Sequence, residues 1–254
     1  MSGTAPGQRT GAPNGVRTVR PAVAAATRLV LVRHGEAACN VGGVVGGPRG
    51  CTGLTEQGRR QAGALGTRLT ETGELARAAA LYTSVLARAV ETAAIAAPGI
   101  GGREGGSPTV ADCGLCELHP GDADGLTWDE FRARYGEPDF DAHPDAPVAP
   151  GGESWTSFVS RATDSLRRVA DRHQGELVVV VCHAGVIEAS LLRFLPVGGR
   201  TRLGLATEHT SLTEWERTED GRSDGRSDDR VGSGTWRLLR YNDAAHLRPG
   251  AVRS

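Results

Sequence analysis

Three stretches of the chain are almost unbroken in apolar residues: RLVLVR (28–33), AALYTS (79–84) and ELVVVVCH (176–183). A strand with one wet face alternates apolar and polar positions, so continuous runs of this length predict central strands of a parallel sheet covered on both faces. Between them the period changes to that of a helix. LTEQGRRQAGALGTRL places Ala62, Leu65 and Leu69 on one face behind Thr55, a capping residue type. SWTSFVSRATDSLRRVADRH does the same with Trp155, Phe158, Val159, Ala162, Leu166 and Val169, with Glu153 and Ser154 read as cap residues. Strand and helix in alternation imply an α/β fold, a doubly wound and mostly parallel sheet with helices on both faces. TSLTEWE and TWRLLRYN predict two further strands near the end.

Other segments lack such a pattern. Residues 1–27 hold Gly, Pro, Ala, Thr and Arg with no acid, and read as a disordered N-terminal tail. One domain is expected over 28–247, interrupted by a charged connector at 218–234 that carries GRSD twice and reads as a flexible excursion, and followed by a C-terminal tail at 248–254. Residues 119–150 are rich in Pro and acid and predict a long loop of the kind that forms lids. Eight acids there (Asp122, Asp124, Asp129, Glu130, Glu137, Asp139, Asp141 and Asp145) stand against Arg132 and Arg134.

Charge narrows the possible partners. A formal net charge of −1 gives no global attraction to nucleic acid or anionic lipid, and no run approaches the length of a membrane span. All 29 basic residues are arginine, so lysine Schiff-base chemistry and the lysine-dependent phosphate loop are excluded. Five cysteines, an odd number in a chain of 254 residues, do not form a disulfide framework and fit a reducing cytoplasm. Cys113 and Cys116 have C-x-x-C spacing, but with no second such pair or nearby His pair they read as two ordinary thiols. Cys39 and Cys182 read as small packing residues beside the site developed next.

In open α/β sheets ligands bind beyond the carboxyl ends of the strands. The first predicted strand ends in Arg33-His34-Gly35, another in His183-Ala184-Gly185, and Arg88 opens a helix after the LYTS strand. Two histidines and two arginines at one crevice form a cationic pocket suited to phosphoryl oxygens. The neighbouring cations push a histidine towards its neutral, nucleophilic form. Glu117 is the candidate acid for a leaving alkoxide, with Asp122, Asp124 and Glu36 as alternatives.

LVRHGEAACN, LTEQGRRQA, SVLARAVETA, LCELHPGDADGLTW, PGGES, VVVVCHAGVI and YNDAAHL, in this order, resemble the histidine phosphatase superfamily, the phosphoglycerate-mutase-like fold. The resemblance implies His34 as phosphorylated nucleophile, Arg33 and Arg88 as phosphate clamps, His183 as the second histidine at the transferring group, Glu117 as proton donor and Asn40 as a pocket residue. It also implies action without metal or organic cofactor. Ala37 and Cys182 stand where Ser or Thr is common in the family, and GCTGLT and ADG replace its more usual D-x-P-L-T and W-E-G.

Three functions follow: a phosphomonoesterase acting on a small phosphorylated metabolite such as a sugar phosphate, a phosphoglycerate-mutase-type phosphotransferase, and a non-catalytic phosphate-binding module. The acid-rich lid favours hydrolysis of a substrate whose non-phosphate part is neutral or cationic. His119, His143, His173, His209 and His246 read as surface or structural residues.

Overall fold

The computed structural model describes residues 1, 3, 25–101, 109–196, 202–219 and 234–248. In chain order the strands are β1 (Thr27–Arg33), β2 (Ala80–Thr83), β3 (Thr109–Ala111), β4 (Leu177–Cys182), β5 (Leu212–Glu219) and β6 (Gly234–Asp243). The helices are α1 (Ala38–Val41), α2 (Glu56–Thr72), α3 (Ala87–Ala96), α4 (Trp128–Tyr135), α5 (Trp155–Arg172) and α6 (Ala184–Phe194).

Unbroken apolar runs are needed because the two central strands face two separate cores. Leu29 and Leu31 of β1 and Val178, Val180 and Cys182 of β4 pack with Phe158, Leu166, Ile187 and Trp215 under α5 and α6. The alternate residues Val30, Val32, Val179 and Val181 pack with Leu65, Leu69, Ala89 and Ala93 of α2 and α3. Burying each such Leu or Val contributes about 1.5–3 kcal/mol. A polar residue at any of these positions would unsettle a helix layer.

The sheet order is β3-β2-β4-β1-β5-β6. β1 runs parallel to β4, β2 to β4 and β3 to β2, while β5 lies antiparallel to both β1 and β6. The α/β architecture expected from the sequence is therefore present, with an antiparallel edge on one side.

Several details differ from expectation. β1 takes in Thr27, Thr218 and Glu219 belong to β5, and Gly234 begins β6; the remainder of the 218–234 connector, nearly all of the N-terminal tail and the C-terminal tail beyond Arg248 lie outside the described residues. The long loop contains α4, begun by a capping box in which Thr127 accepts from the Glu130 amide and Glu130 accepts from the Thr127 amide. Ser154 caps α5, accepting from the Ser157 amide, but Glu153 is engaged elsewhere. Among the described residues no helix is long and apolar enough to cross a membrane.

Candidate active site

Register places the two motif histidines side by side. Arg33 of β1 aligns with Cys182 of β4, so His34 and His183 each follow an aligned strand end, and the His34 amide donates to the Cys182 carbonyl at 3.0 Å. Their ring centroids are 5.1 Å apart. Both are buried, and His183, the N-cap of α6, lies beside His34 beneath the cavity wall.

Two contacts fix the tautomer of His34. Its Nδ1 lies 2.7 Å from the Gly35 carbonyl, an acceptor, and therefore carries the proton. Its Nε2 lies 3.1 Å from Arg88 Nε, a donor, and therefore carries the lone pair. Burial, followed by the charge of Arg88, pushes the His34 pKa well below 6.5. Burial, Arg88 and His34 do the same to His183, whose two ring nitrogens have no partner. An uncharged imidazole thus sits among cations, as expected from the sequence.

Arg88, the second residue of α3, is buried and also donates from Nη1 to the Gly46 carbonyl at 2.7 Å. Arg33 donates from Nη1 to the Thr207 carbonyl, and its buried Nε has no partner. Among the described residues neither arginine has a carboxylate within ion-pair distance. Burial draws the Arg33 pKa down while Glu117 nearby opposes the shift. Two desolvated guanidinium groups with no carboxylate partner, one of them with an unused donor, make a preformed site for an anion.

The glycines of the two motifs serve chain packing. A Cβ at Gly35 would lie 2.6 Å from the Gly58 carbonyl oxygen, so only glycine lets the end of β1 pass the start of α2. At Gly185 an added Cβ would lie 2.1 Å from Glu117 Oε1. The bare backbone there admits the carboxylate, whose Oε2 accepts from the Gly185 amide at 3.1 Å.

These groups open into a cavity of about 560 Å³ lined by Arg33, His34, Asn40, Arg88 and Glu117 at one end. Asn40 Oδ1 accepts from the Ala37 amide at 3.2 Å. Trp128, Phe131, Phe140, Trp155 and Leu205 form the wall, and Arg202 and Glu188 border it as an ion pair at 3.2 Å. Glu36 accepts from the Thr55 hydroxyl, Asp124 holds the Arg49 and Gly50 amides, and neither they nor Asp122 line the cavity. Of the eight lid acids only Glu137 borders it, so the acid count of that segment overstates its negative charge at the site.

His209, expected to be a surface or structural residue, belongs to this cluster: its ring lies 5.8 Å from His34. Burial and Arg33 push its pKa down to about 4, and its Nε2 is buried without a partner. The turn carrying it is held by the YNDAAHL segment, where Asn242 accepts from the Glu208 amide and His246 Nε2 lies 2.9 Å from the Thr210 hydroxyl. The available signal was position: the residues just before an antiparallel strand beside β1 must lie at the carboxyl end of β1.

Arg161 was also missed. It donates to both carboxylate oxygens of Glu153 at 2.7 Å and to the carbonyls of Cys113, Gly114, Cys116 and Glu117, so it braces the loop that presents Glu117. Glu153 is therefore a brace for this loop and leaves the helix cap to Ser154. Cys182 is fully buried, which raises its pKa, while Cys39 borders the cavity.

This fold and this cationic strand-end site define a phosphoryl-handling protein, and comparison with known proteins gives the class. The chain belongs to the histidine phosphatase superfamily (branch 1), whose model matches residues 29–226. It is 36% identical over 183 residues to a metal-independent phosphoserine phosphatase of Arabidopsis thaliana, covering 70% of this chain and 72% of that one. It is 35% identical over 173 residues to a 2,3-bisphosphoglycerate-dependent phosphoglycerate mutase of Methylobacterium sp. (strain 4-46), covering 65% and 78%. Among solved structures, a mycobacterial glucosyl-3-phosphoglycerate phosphatase complexed with VO3 matches with a TM-score of 0.65 at 29% identity, covering 85% of this chain and 98% of that one.

Proposed function

We propose that the protein is a phosphomonoesterase that hydrolyses a small phosphorylated metabolite through a phosphohistidine formed on His34. The observation that carries this reading is the Nε2 lone pair of a buried, neutral His34 set against the Arg88 guanidinium. Arg33 and Arg88 take the phosphoryl oxygens, and His183 contacts the same group with a neutral ring, so developing charge meets fixed donors in a dry site. His34 Nε2 forms the bond to phosphorus as the bond from phosphorus to the ester oxygen breaks. Glu117 gives its proton to the departing alkoxide. The resulting carboxylate then takes a proton from water, whose oxygen displaces Nε2 and releases inorganic phosphate. No step draws on a metal or organic cofactor.

The non-phosphate part of the substrate lies along the aromatic wall. Arg202 is already neutralised by Glu188 and stacks on Trp155 with its guanidinium carbon 4.7 Å from the ring centroid. Glu137 adds a negative charge at the wall. Among the described residues a second phosphate would find no unpaired cation at this end, which supports hydrolysis over mutase chemistry. A sugar or amino-acid phosphate, uncharged overall beyond its phosphate, fits this lining. All five cysteines are free, in keeping with a cytoplasmic location.

Release of inorganic phosphate from p-nitrophenyl phosphate, measured in chelator and without bisphosphoglycerate, tests the reading. His34→Ala should lower kcat by at least about 10⁴-fold, on the scale seen when a covalent nucleophile is removed, and leave the fold intact. Near-normal turnover in that variant removes His34 from the mechanism. Activity that appears only with bisphosphoglycerate makes the protein a mutase. Absence of both, with phosphate still raising Tm, leaves a binding module.

A further inference from the structure

Three side chains on the loop around Glu117 take no part in the strand-end site and do not line its cavity: Cys113, Cys116 and His119. Their ligand atoms, two sulfurs and a ring nitrogen, all lie within 4.8 Å of one another. Cys113 Sγ is 3.5 Å from His119 Nε2. A tetrahedral Zn²⁺ with bonds of about 2.3 Å to sulfur and about 2.0–2.1 Å to nitrogen sets its ligand atoms roughly 3.5–3.8 Å apart. Without a nearby histidine pair the two cysteines read as ordinary thiols, but the fold turns one histidine back to them in a C-x₂-C-x₂-H arrangement.

The set is also held from behind. The carbonyls of Cys113 and Cys116 are fixed by Arg161 Nη1, and Cys113 opens a short 3-10 turn capped by Asp112. The His119 amide donates to Glu153 Oε2 at 2.9 Å, and the same oxygen lies 3.6 Å from His119 Nδ1. A carboxylate behind an imidazole is the arrangement that orients a ligating histidine and raises its basicity. The Ser84 hydroxyl donates to Cys116 Sγ at 3.2 Å and so holds that sulfur in place.

We propose that Cys113, Cys116 and His119 form a binding site for a soft divalent cation of the Zn²⁺ class, with water in the fourth position on the solvent side. Thiolate and imidazole ligands select such ions over Mg²⁺ or Ca²⁺. Binding exchanges two thiol protons for the metal and changes no oxidation state. The ligands at 116 and 119 flank residue 117, so the ion fastens the loop that carries Glu117 and stands outside the reaction itself.

Titration of the reduced full-length protein with Co²⁺, in a phosphine reductant, tests this. One Co²⁺ per chain should bring thiolate-to-cobalt charge-transfer absorption and the visible bands of tetrahedral Co²⁺, both displaced by Zn²⁺. Cys113 is exposed and His119 partly so, so Cys113→Ser and His119→Gln should fold normally; each should weaken Co²⁺ binding by more than about 100-fold, beyond what loss of a supporting residue does. Cys39→Ser and His34→Ala should bind Co²⁺ as the unaltered protein does. Because His34→Ala lacks the proposed nucleophile, this result stands apart from the phosphatase assay. No charge-transfer band in the folded, reduced protein overturns the proposal, as does a band that survives both ligand substitutions.

Discussion

Two arginine clusters lie on neighbouring segments of this molecule, and they are built on opposite plans. Arg161 is saturated: its donors go to one carboxylate and four backbone carbonyls, and despite burial, which works the other way, Glu153 holds its pKa above the usual value. Arg88 lies deeper than Arg161, yet among the described residues Arg33 and Arg88 each meet a single carbonyl and no carboxylate, and Arg88 adds a neutral histidine and the Cys51 side chain. Unpartnered nitrogens collect around the second pair, on Arg33, His183 and His209. A buried polar group without a partner costs stability, so such a concentration marks a place organised for a group that arrives from outside. The first cluster stabilises a loop; the second is left open, as the proposed phosphoryl-binding role requires.

Substitution should separate the two plans. Arg88→Met should lower kcat about 10²–10³-fold by removing a donor to the transferring oxygens, while Tm holds or rises because an unpaired buried cation has gone. A fall in stability with activity intact would show that Arg88 is a brace like Arg161. Arg161→Met should do the reverse. It strands Glu153 and four carbonyls and should cost about 2–3 kcal/mol in denaturant unfolding, somewhat under the value for a fully buried pair. The kcat of the folded fraction should stay within about tenfold, or about 1.4 kcal/mol.

The smallest effect is in the pH dependence. His34, His183 and His209 are neutral in the fold, with His209 at about 4 and the other two well below 6.5. The unfolded chain, with histidine pKa values near about 6.5, binds more protons than the native state below that pH. Stability should therefore be complete above about pH 6.5 and fall as pH drops towards about 4. His209→Gln should make that decline shallower in urea midpoints recorded across the window; an unchanged slope would place His209 outside the cationic cluster.

Much of the site was legible because it follows from strand ends. Once RLVLVR and VVVVC were read as central parallel strands, His34 and His183 had to emerge at the same edge, and their rings do lie side by side there. What was missed depends on longer connections. His209 reaches the cluster only because β5 runs antiparallel beside β1, a pairing that no local period announces. Arg161 sits on the polar side of α5, where its position in the sequence resembles that of any surface arginine, and its partners come from residues 113–117 and 153. β3, three residues long and exposed, has no apolar run to reveal it. α4 was a different kind of miss: its TWDE capping box was present in the chain, but the density of Pro and acid around it suggested a loop.

On the proposed mechanism, position 185 separates the two halves of catalysis. A methyl group there would lie 2.1 Å from Glu117 Oε1, which can swing away, and 3.0 Å from Cζ of the buried Phe158 ring, which must give by a few tenths of an ångström. Gly185→Ala should then accept phosphorus from an ester with a good leaving group, which departs unaided, and stall afterwards for want of a base. A single burst of p-nitrophenolate, about one per chain, followed by a slow steady state would make this missing side chain a means of trapping the phosphorylated enzyme for study.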